Sequence, residues 1–266
     1  MHHLVTIARP DDPADVEVAI DRFWIAGAVG VEELGGTVRA AFTDADTAGR
    51  VAAEHGGSVE SVDDDTGLDE WRDHAESYRA GAFHLRPPWH PAGDDGLDLV
   101  IDPGHAFGSG SHPTTRLVLA TLDQVIRPGD HVLDLGTGSG VLAIAAAMLG
   151  ATVDAIDVDP AARPAVTANA AANDVDDRIA VHIGDIAELD LAAADVVLLN
   201  VTIDIHELVA ETVRAIDTDR LVIAGVLAGE QAERAARLHG RTPAATTVEG
   251  EWAALVFDHG RSAPAS

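Results

Sequence analysis

The chain has 266 residues, 47% of them hydrophobic, and a formal net charge of -28 at pH 7. It has no cysteine and its 17 basic residues are all arginine, so disulfides and thiolate metal sites are excluded. No arginine cluster supplies the positive face that a duplex nucleic-acid binder needs, and the longest apolar stretch, Val141 to about Ala151, is too short and Ala-rich to span a bilayer.

The length accommodates one large domain, or a large one with a small one. Charge arrives early, at Arg9 and Asp11, so no signal-peptide core is expected and the cytoplasm is the expected compartment. The acidity fits a GC-rich or salt-adapted background as well as the attraction of a basic partner.

Residues 1–62 read as a small α+β domain of ferredoxin-like character. Leu4 to Ile7 predicts a strand. Pro13 to about Ala26 predicts a helix with Val16, Ile20, Phe23 and Trp24 on one face, Asp12 as its N-cap and Pro13 at its first position. Thr37 to Phe42 alternates as a second strand, Thr47 to His55 reads as a second helix, and Ser58 to Val62 as a third strand. None of these residues suggests chemistry.

An acidic break, Asp63-Asp64-Asp65-Thr66-Gly67, opens a connector over 63–95 with some order of its own. Its aromatics, Trp71, Tyr78, Phe83 and Trp89, are expected to pack between domains. From 96 to about 260 strand and helix patterns alternate. Strands are expected at Leu97–Ile101, His131–Leu135, Thr152–Asp157, Ile179–Ile183, Val196–Leu199 and Leu221–Gly225. Helices are expected from Thr114, Val141, Pro160, Ile205 and Glu230. This alternation predicts an α/β fold, a mostly parallel sheet with helices on both faces. A late hairpin around Gly250, joining Ala245–Glu249 to Ala253–Asp258, adds an antiparallel last strand.

Ligands of open parallel sheets sit at the carboxyl ends of the strands, so the residues that end each strand carry the chemistry. The stretch Asp134-Leu135-Gly136-Thr137-Gly138-Ser139-Gly140 joins a strand to a helix, and its glycines let the backbone approach a ligand closely. A dinucleotide fingerprint would want a third glycine at 141, where this chain has Val141; that moves the reading towards S-adenosylmethionine. Asp157 closes the next strand, about 20 residues on, and suits two ribose hydroxyls. Asp159 suits the N-cap of the helix from Pro160. Asp185 could accept from an adenine amino group, with Ile186 against the ring, or could serve as a turn residue. Asn200 ends the fourth strand, where a neutral amide can orient an incoming amine. Upstream, Asp102 to Thr115 is a shaped loop, with Pro113 in the first turn of the next helix. His105 and His112 are seven apart with no neighbouring ligand pair, and no metal is expected.

With these residues assembled, the chain resembles the PrmA family, bacterial methyltransferases that modify the stalk-base protein of the large ribosomal subunit. Asp102 to Thr115 is similar to the family's D-P-G-x-A-F-G-[ST]-G-x-H-x-T-T signature, and Asp134 to Gly140 to its D-x-G-x-G-S-G segment. Asp157-Val158-Asp159-Pro160, Asn169, Leu221 to Gln231 and Glu251-Trp252 also resemble its pattern, as do Trp71, Gly81 and Pro88-Trp89 in the connector. The stretch Asn200-Val201-Thr202-Ile203-Asp204 departs from it beside the acceptor. The resemblance implies a class I methyltransferase, Rossmann-like fold. It implies donor contacts at Thr115, Gly136, Asp157 and Asn200, with Phe107 and Gly138 in the donor pocket. It further implies an N-terminal substrate-recognition domain and methylation of lysine side chains and an N-terminal amine.

The expected mechanism is in-line attack of a neutral amine on the donor methyl. Asn200 orients the amine, Asp157 holds the ribose and Thr115 the amino-acid portion of the donor. A free lysine is mostly charged at neutral pH, and burial favours its neutral form. The expected enzyme is monomeric and needs no metal, membrane or direct nucleic-acid contact. Competing readings are a methyltransferase for another protein or a small amine, a donor-binding module without activity, and a nicotinamide oxidoreductase. The last lacks both the third glycine and an evident Tyr/Lys or His catalytic pair.

Overall fold

The computed structural model describes residues 2–10, 16, 18–20, 22–23, 26–28, 30–62, 76–93, 95–102, 112–189, 191 and 193–258. The chain divides into two units, 1–75 and 76–266.

The first unit carries a four-stranded antiparallel sheet of β1 (His2–Ala8), β2 (Gly30–Leu34), β3 (Thr37–Phe42) and β4 (Ser58–Val62), in the order β2-β3-β1-β4. Helix α1 (Ala45–His55) is capped by Asp44, whose side chain accepts the Thr47 N–H, and ends on Gly56 in the left-handed region. Residues 16, 18–20 and 22–23 are helical; of the predicted face, Val16 and Phe23 are buried and Ile20 is half-buried against the same cluster, where Ala19, not predicted, is also buried. The expectations on Asp12, Pro13 and Trp24 lie outside the described residues. Phe23 meets Phe42 edge-on at 6.5 Å in this unit's core. Strand β2 is absent from the expected β-α-β-α-β order. Gly30-Val31-Glu32-Glu33-Leu34 does not alternate, and its strand character comes from pairing with β3, where Glu32 lies opposite Arg39 at 3.3 Å.

The second unit holds two sheets. A three-stranded sheet, β5-β6-β7, is built from β5 (Tyr78–Ala80), β6 (Phe83–Arg86) and β7 (Leu97–Val100). Residues 78–86, expected within the connector, therefore belong to the second unit, and Phe83 is fully buried in its core. Trp71 lies outside the described residues. The strand expected at Leu97 does form, but it pairs in parallel with β6 and not with the large sheet.

The large sheet has seven strands: β8 (His131–Leu135), β9 (Thr152–Asp157), β10 (Ile179–Ile183), β11 (Ala194–Asn200), β12 (Thr218–Leu227), β13 (Ala245–Glu249) and β14 (Trp252–Asp258). Their order is β10-β9-β8-β11-β12-β14-β13. The first five are parallel, and the β13–β14 hairpin is antiparallel to β12, as expected around Gly250. Side chains alternate between two apolar layers. Val132, Val196, Leu198 and Val222 face one core, with α2 (Pro113–Val125), α3 (Val141–Met148) and α4 (Ala162–Ala172). Leu133, Leu135, Val197, Leu199 and Ile223 face the other, with α5 (Ile203–Ala215) and α6 (Glu230–Leu238). Among the described residues no helix is long and apolar enough to cross a membrane.

The strand order reverses direction between β8 and β11, which is where open α/β sheets open a crevice at their carboxyl ends. Register places those ends at one level: Ile183 beside Asp157, Ile156 beside Leu135, and Leu135 beside Leu199. Asp157, Gly136 and Asn200 thus end three neighbouring strands, at roughly 4.8 Å per strand step.

At the other end of the sheet, Arg220 pairs with Asp130 at 3.0 Å and also donates to the Val125 carbonyl, with both charged side chains nearly buried. Removing one partner of a buried pair strands the other charge. Arg220→Ala is expected to lower stability by about 3 kcal/mol, read as a fall in the urea midpoint at unchanged slope.

Candidate functional site

The glycine turn after β8 is held from two sides. Gly136, Gly138 and Gly140 all have positive φ (77°, 54° and 86°), a region open to glycine at little cost. The Gly136 and Thr137 amides donate to the Ile156 carbonyl at 2.8 and 3.0 Å. Beneath the turn lies Asp134, 1% exposed, whose Oδ2 accepts the Thr137 hydroxyl at 2.6 Å and the Ala143 N–H at 3.1 Å. Burial pushes its carboxyl up to about 6, opposed by those two hydrogen bonds and aided by the nearby charge of Asp157.

Beside the turn, Asp157 Oδ2 accepts the Gly138 N–H at 2.8 Å, and Oδ1 accepts the Asp159 N–H at 2.9 Å. An ionised carboxylate offers about four acceptor sites, so two remain for a ligand's hydroxyls. Asp159 was expected to cap a helix from Pro160, but α4 begins at Ala162 with Ala161 as its N-cap and no side-chain cap; Asp159 Oδ1 instead accepts the Ala161 N–H at 2.9 Å within the preceding turn.

Asp185 is exposed, and its Oδ1 accepts the Ala187 N–H at 2.8 Å within its own turn. Ile186, expected against an adenine ring, is instead 6% exposed and packed in the core with Ile156 and Leu199.

Two other sequence-read residues meet across the crevice. Asn200 Nδ2 donates to Thr115 Oγ1 at 3.4 Å, which brings the end of β11 against the first turn of α2. That turn has Pro113 at its start, as the sequence predicts. It is capped by His112, whose Nδ1 accepts the Thr114 N–H at 3.3 Å and whose ring meets Trp252 edge-on at 4.6 Å. Burial, with help from Arg116, pushes the His112 imidazole down to about 4, so it is neutral in its capping role. Phe107, with most of the loop that carries it (residues 103–111, including His105), lies outside the described residues. Among the described residues there is no group of three or more His, Asp or Glu side chains placed to hold a metal.

The backbone after Asn200 is backed by a feature that sequence reasoning missed. Gly225 sits at an irregularity in the β12–β14 pairing with φ +83°, and a Cβ there would lie 2.1 Å from the Val201 carbonyl oxygen. Only glycine lets the two segments touch. Behind them His206 Nε2 donates to the Ala224 carbonyl at 2.9 Å, leaving its Nδ1 to accept from His239 Nε2 at 3.0 Å. Both rings are buried and burial holds both below the usual imidazole range, His239 down to about 3. Asp134 was also missed as a site group, although a lone acid inside the apolar run Val132-Leu133-Asp134-Leu135 before a glycine turn is a readable signal.

The model of the family described as "Ribosomal protein L11 methyltransferase (PrmA)" matches residues 36–259. A ribosomal protein L11 methyltransferase of Thermus thermophilus is 38% identical over 205 residues, 76% of this chain and 80% of that protein. One from Thiobacillus denitrificans is 48% identical over 153 residues, 55% of this chain and 49% of the relative. Several further curated relatives are likewise matched over about half their length. The crystal structure of a ribosomal protein L11 methylase from Lactobacillus delbrueckii superposes with a TM-score of 0.59 at 26% identity, covering 69% of this chain and 98% of that one.

The raised Asp134 carboxyl has a checkable consequence. Between about 3.8 and about 6 the folded chain holds a proton that the unfolded chain has released, so this contribution to stability is present below that window and lost as pH rises through it. Asp134→Asn removes the titration and can keep an oxygen towards Thr137 and Ala143. Unfolding free energies of variant and wild type from urea melts, compared at matched pH from 4 to 7.5, are expected to move in the variant's favour as pH rises, by on the order of 3 kcal/mol in all.

Proposed function

We propose, from the premise that this chain belongs to the ribosomal protein L11 methyltransferase (PrmA) family, that it transfers methyl groups from S-adenosylmethionine to lysine side chains and the N-terminal amine of ribosomal protein L11. The observation that carries this reading is the row of strand ends: the glycine turn, Asp157 and Asn200 at one level, with Thr115 in reach of Asn200.

The residues present fit the donor. The positive-φ glycines give a side-chain-free cradle, and a Cβ on Gly136 would already meet the Val201 side chain at 2.8 Å. When bound, the donor supplies a methyl on a cationic sulfur that leaves as a neutral thioether. Asp157 keeps two acceptor positions for ribose hydroxyls while its Gly138 bond fixes the carboxylate. Thr115 and Asn200 hold one another, Thr115 towards the amino-acid portion of the donor and Asn200 towards the incoming amine. The Asn200 amide accepts through its oxygen without adding a charge, so it can align a neutral amine. Asp134 and Asp157 place negative charge about the turn, which favours a cationic ligand. No residue is asked to protonate the leaving group, so alignment and desolvation carry the rate.

The departure at Asn200-Val201-Thr202-Ile203-Asp204 favours a second reading, in which the same donor site serves another protein or a small amine. On the first reading the N-terminal unit recognises the ribosomal protein, and the enzyme works as a monomer in the cytoplasm without direct contact to RNA.

Incubation of the enzyme with donor and purified ribosomal protein L11, followed by intact-mass analysis, is expected to show gains in whole methyl increments. An unmodified L11 beside a modified small amine or other protein would favour the second reading. Asp157→Ala is expected to weaken donor binding about tenfold by calorimetry. For Asn200→Ala a fall in turnover of about a hundredfold is expected, and normal turnover would remove Asn200 from the mechanism.

A further inference from the structure

Helix α4 carries Asn169, and Asn173, four residues on, is the C-cap just past its end; both side chains reach the same neighbouring segment. Asn169 is 3% exposed. Its Oδ1 accepts the Asp102 N–H at 2.9 Å, and its Nδ2 donates to the Asp102 carbonyl at 2.8 Å and to the Ser139 carbonyl at 3.0 Å. Asn173 Oδ1 accepts the Val100 N–H at 2.9 Å, and its Nδ2 donates to the Val100 carbonyl at 2.7 Å and to the Asn169 carbonyl at 2.7 Å.

The geometry explains the spacing. Residues four apart on a helix are separated by about 6 Å along its axis, and residues two apart on a strand by about 6.6 Å. Two carboxamides at that interval can each pair with the N–H and C=O of one residue on the same side of an extended segment, as a neighbouring strand would. Asn169 does more than Asn173. Its second donor reaches the glycine turn, so one side chain joins Asp102 to Ser139, which lies between Gly138 and Gly140. Ser139 is fully buried, and the Gly138 amide beside it is the one that Asp157 accepts.

We propose that Asn169 is a positioning residue for the methyl donor: it clamps the Ser139 carbonyl to the Asp102 peptide, and the donor pocket keeps its shape through that clamp. Asn173 is the strand anchor and serves stability alone. The inference rests on the reading of this site as an S-adenosylmethionine pocket.

The test uses the full chain as wild type, Asn169→Ala, Asn169→Asp and Asn173→Ala, titrated calorimetrically with S-adenosylmethionine well below the lowest melting temperature of the set. Asn169→Asp preserves volume and the acceptor but loses both donors, and it carries the measurement if the alanine variant does not fold. Both Asn169 variants are expected to raise the donor Kd about tenfold. Their donor KM should rise by the same factor while the acceptor KM stays at the wild-type value. Asn173→Ala should lower the melting temperature and leave the donor Kd unchanged. A folded Asn169→Asp protein with wild-type donor affinity overturns the inference. So does an Asn173→Ala protein that loses donor affinity as far as the Asn169 variants do. A wild-type chain that does not bind the donor overturns the underlying reading of the pocket instead.

Discussion

A bend of glycines is soft unless something holds it, and here two carboxylates do. Asp134 grips the turn from below through Thr137 and the first turn of α3, and Asp157 grips it from the side through Gly138. Each acid stands on its own strand, so the parallel register of β8 and β9 is what places the two oxygens about one loop. The arrangement carries strain, because Asp134 is buried and repelled by its neighbour, and its carboxyl titrates near 6 as a result. Part of that repulsion is relieved when a cation occupies the crevice, which gives a charged sulfur compound an advantage over a neutral one of the same shape.

The opposite wall is stiffened without charge. Gly225 lets β12 touch the peptide after Asn200, and the neutral His206–His239 pair fills the space behind. Between pH 3 and 6.5 the unfolded chain takes up a proton that buried His239 refuses, so this wall favours neutral pH while Asp134 favours acid. The two dependences oppose each other over much the same interval.

Much of the second unit was legible before any coordinates. The strands at 131–135, 152–157, 179–183 and 245–249 have the bounds their apolar runs suggest, because glycine, proline or acid residues punctuate them. Strand β2 was not legible: its two adjacent glutamates are stabilised by partners on β3 that no local pattern reveals. Strand β7 was legible as a strand but not as a member of the small sheet, since sheet membership is decided by long-range pairing. At the site, Asp157, Asn200 and the glycine turn could be read from the strand ends, and Thr115 from the resemblance alone; the structure brings the glycine turn beside Asp157 and Asn200 beside Thr115. Asn169 could be noticed only as part of a resemblance. An inward amide on a helix has no sequence signal of its own until its backbone partners are known.

Strand β7 is the last strand of its sheet, and a last strand exposes a row of peptide groups. Ile101 N–H turns towards β6, donating to the Arg86 carbonyl, and the alternate peptides of Val100 and Asp102 face the other way. These outward groups are the ones that the carboxamides of Asn169 and Asn173 occupy. Side chains thereby stand in for a further strand at Val100 and Asp102, and a second molecule cannot extend the sheet over those two residues.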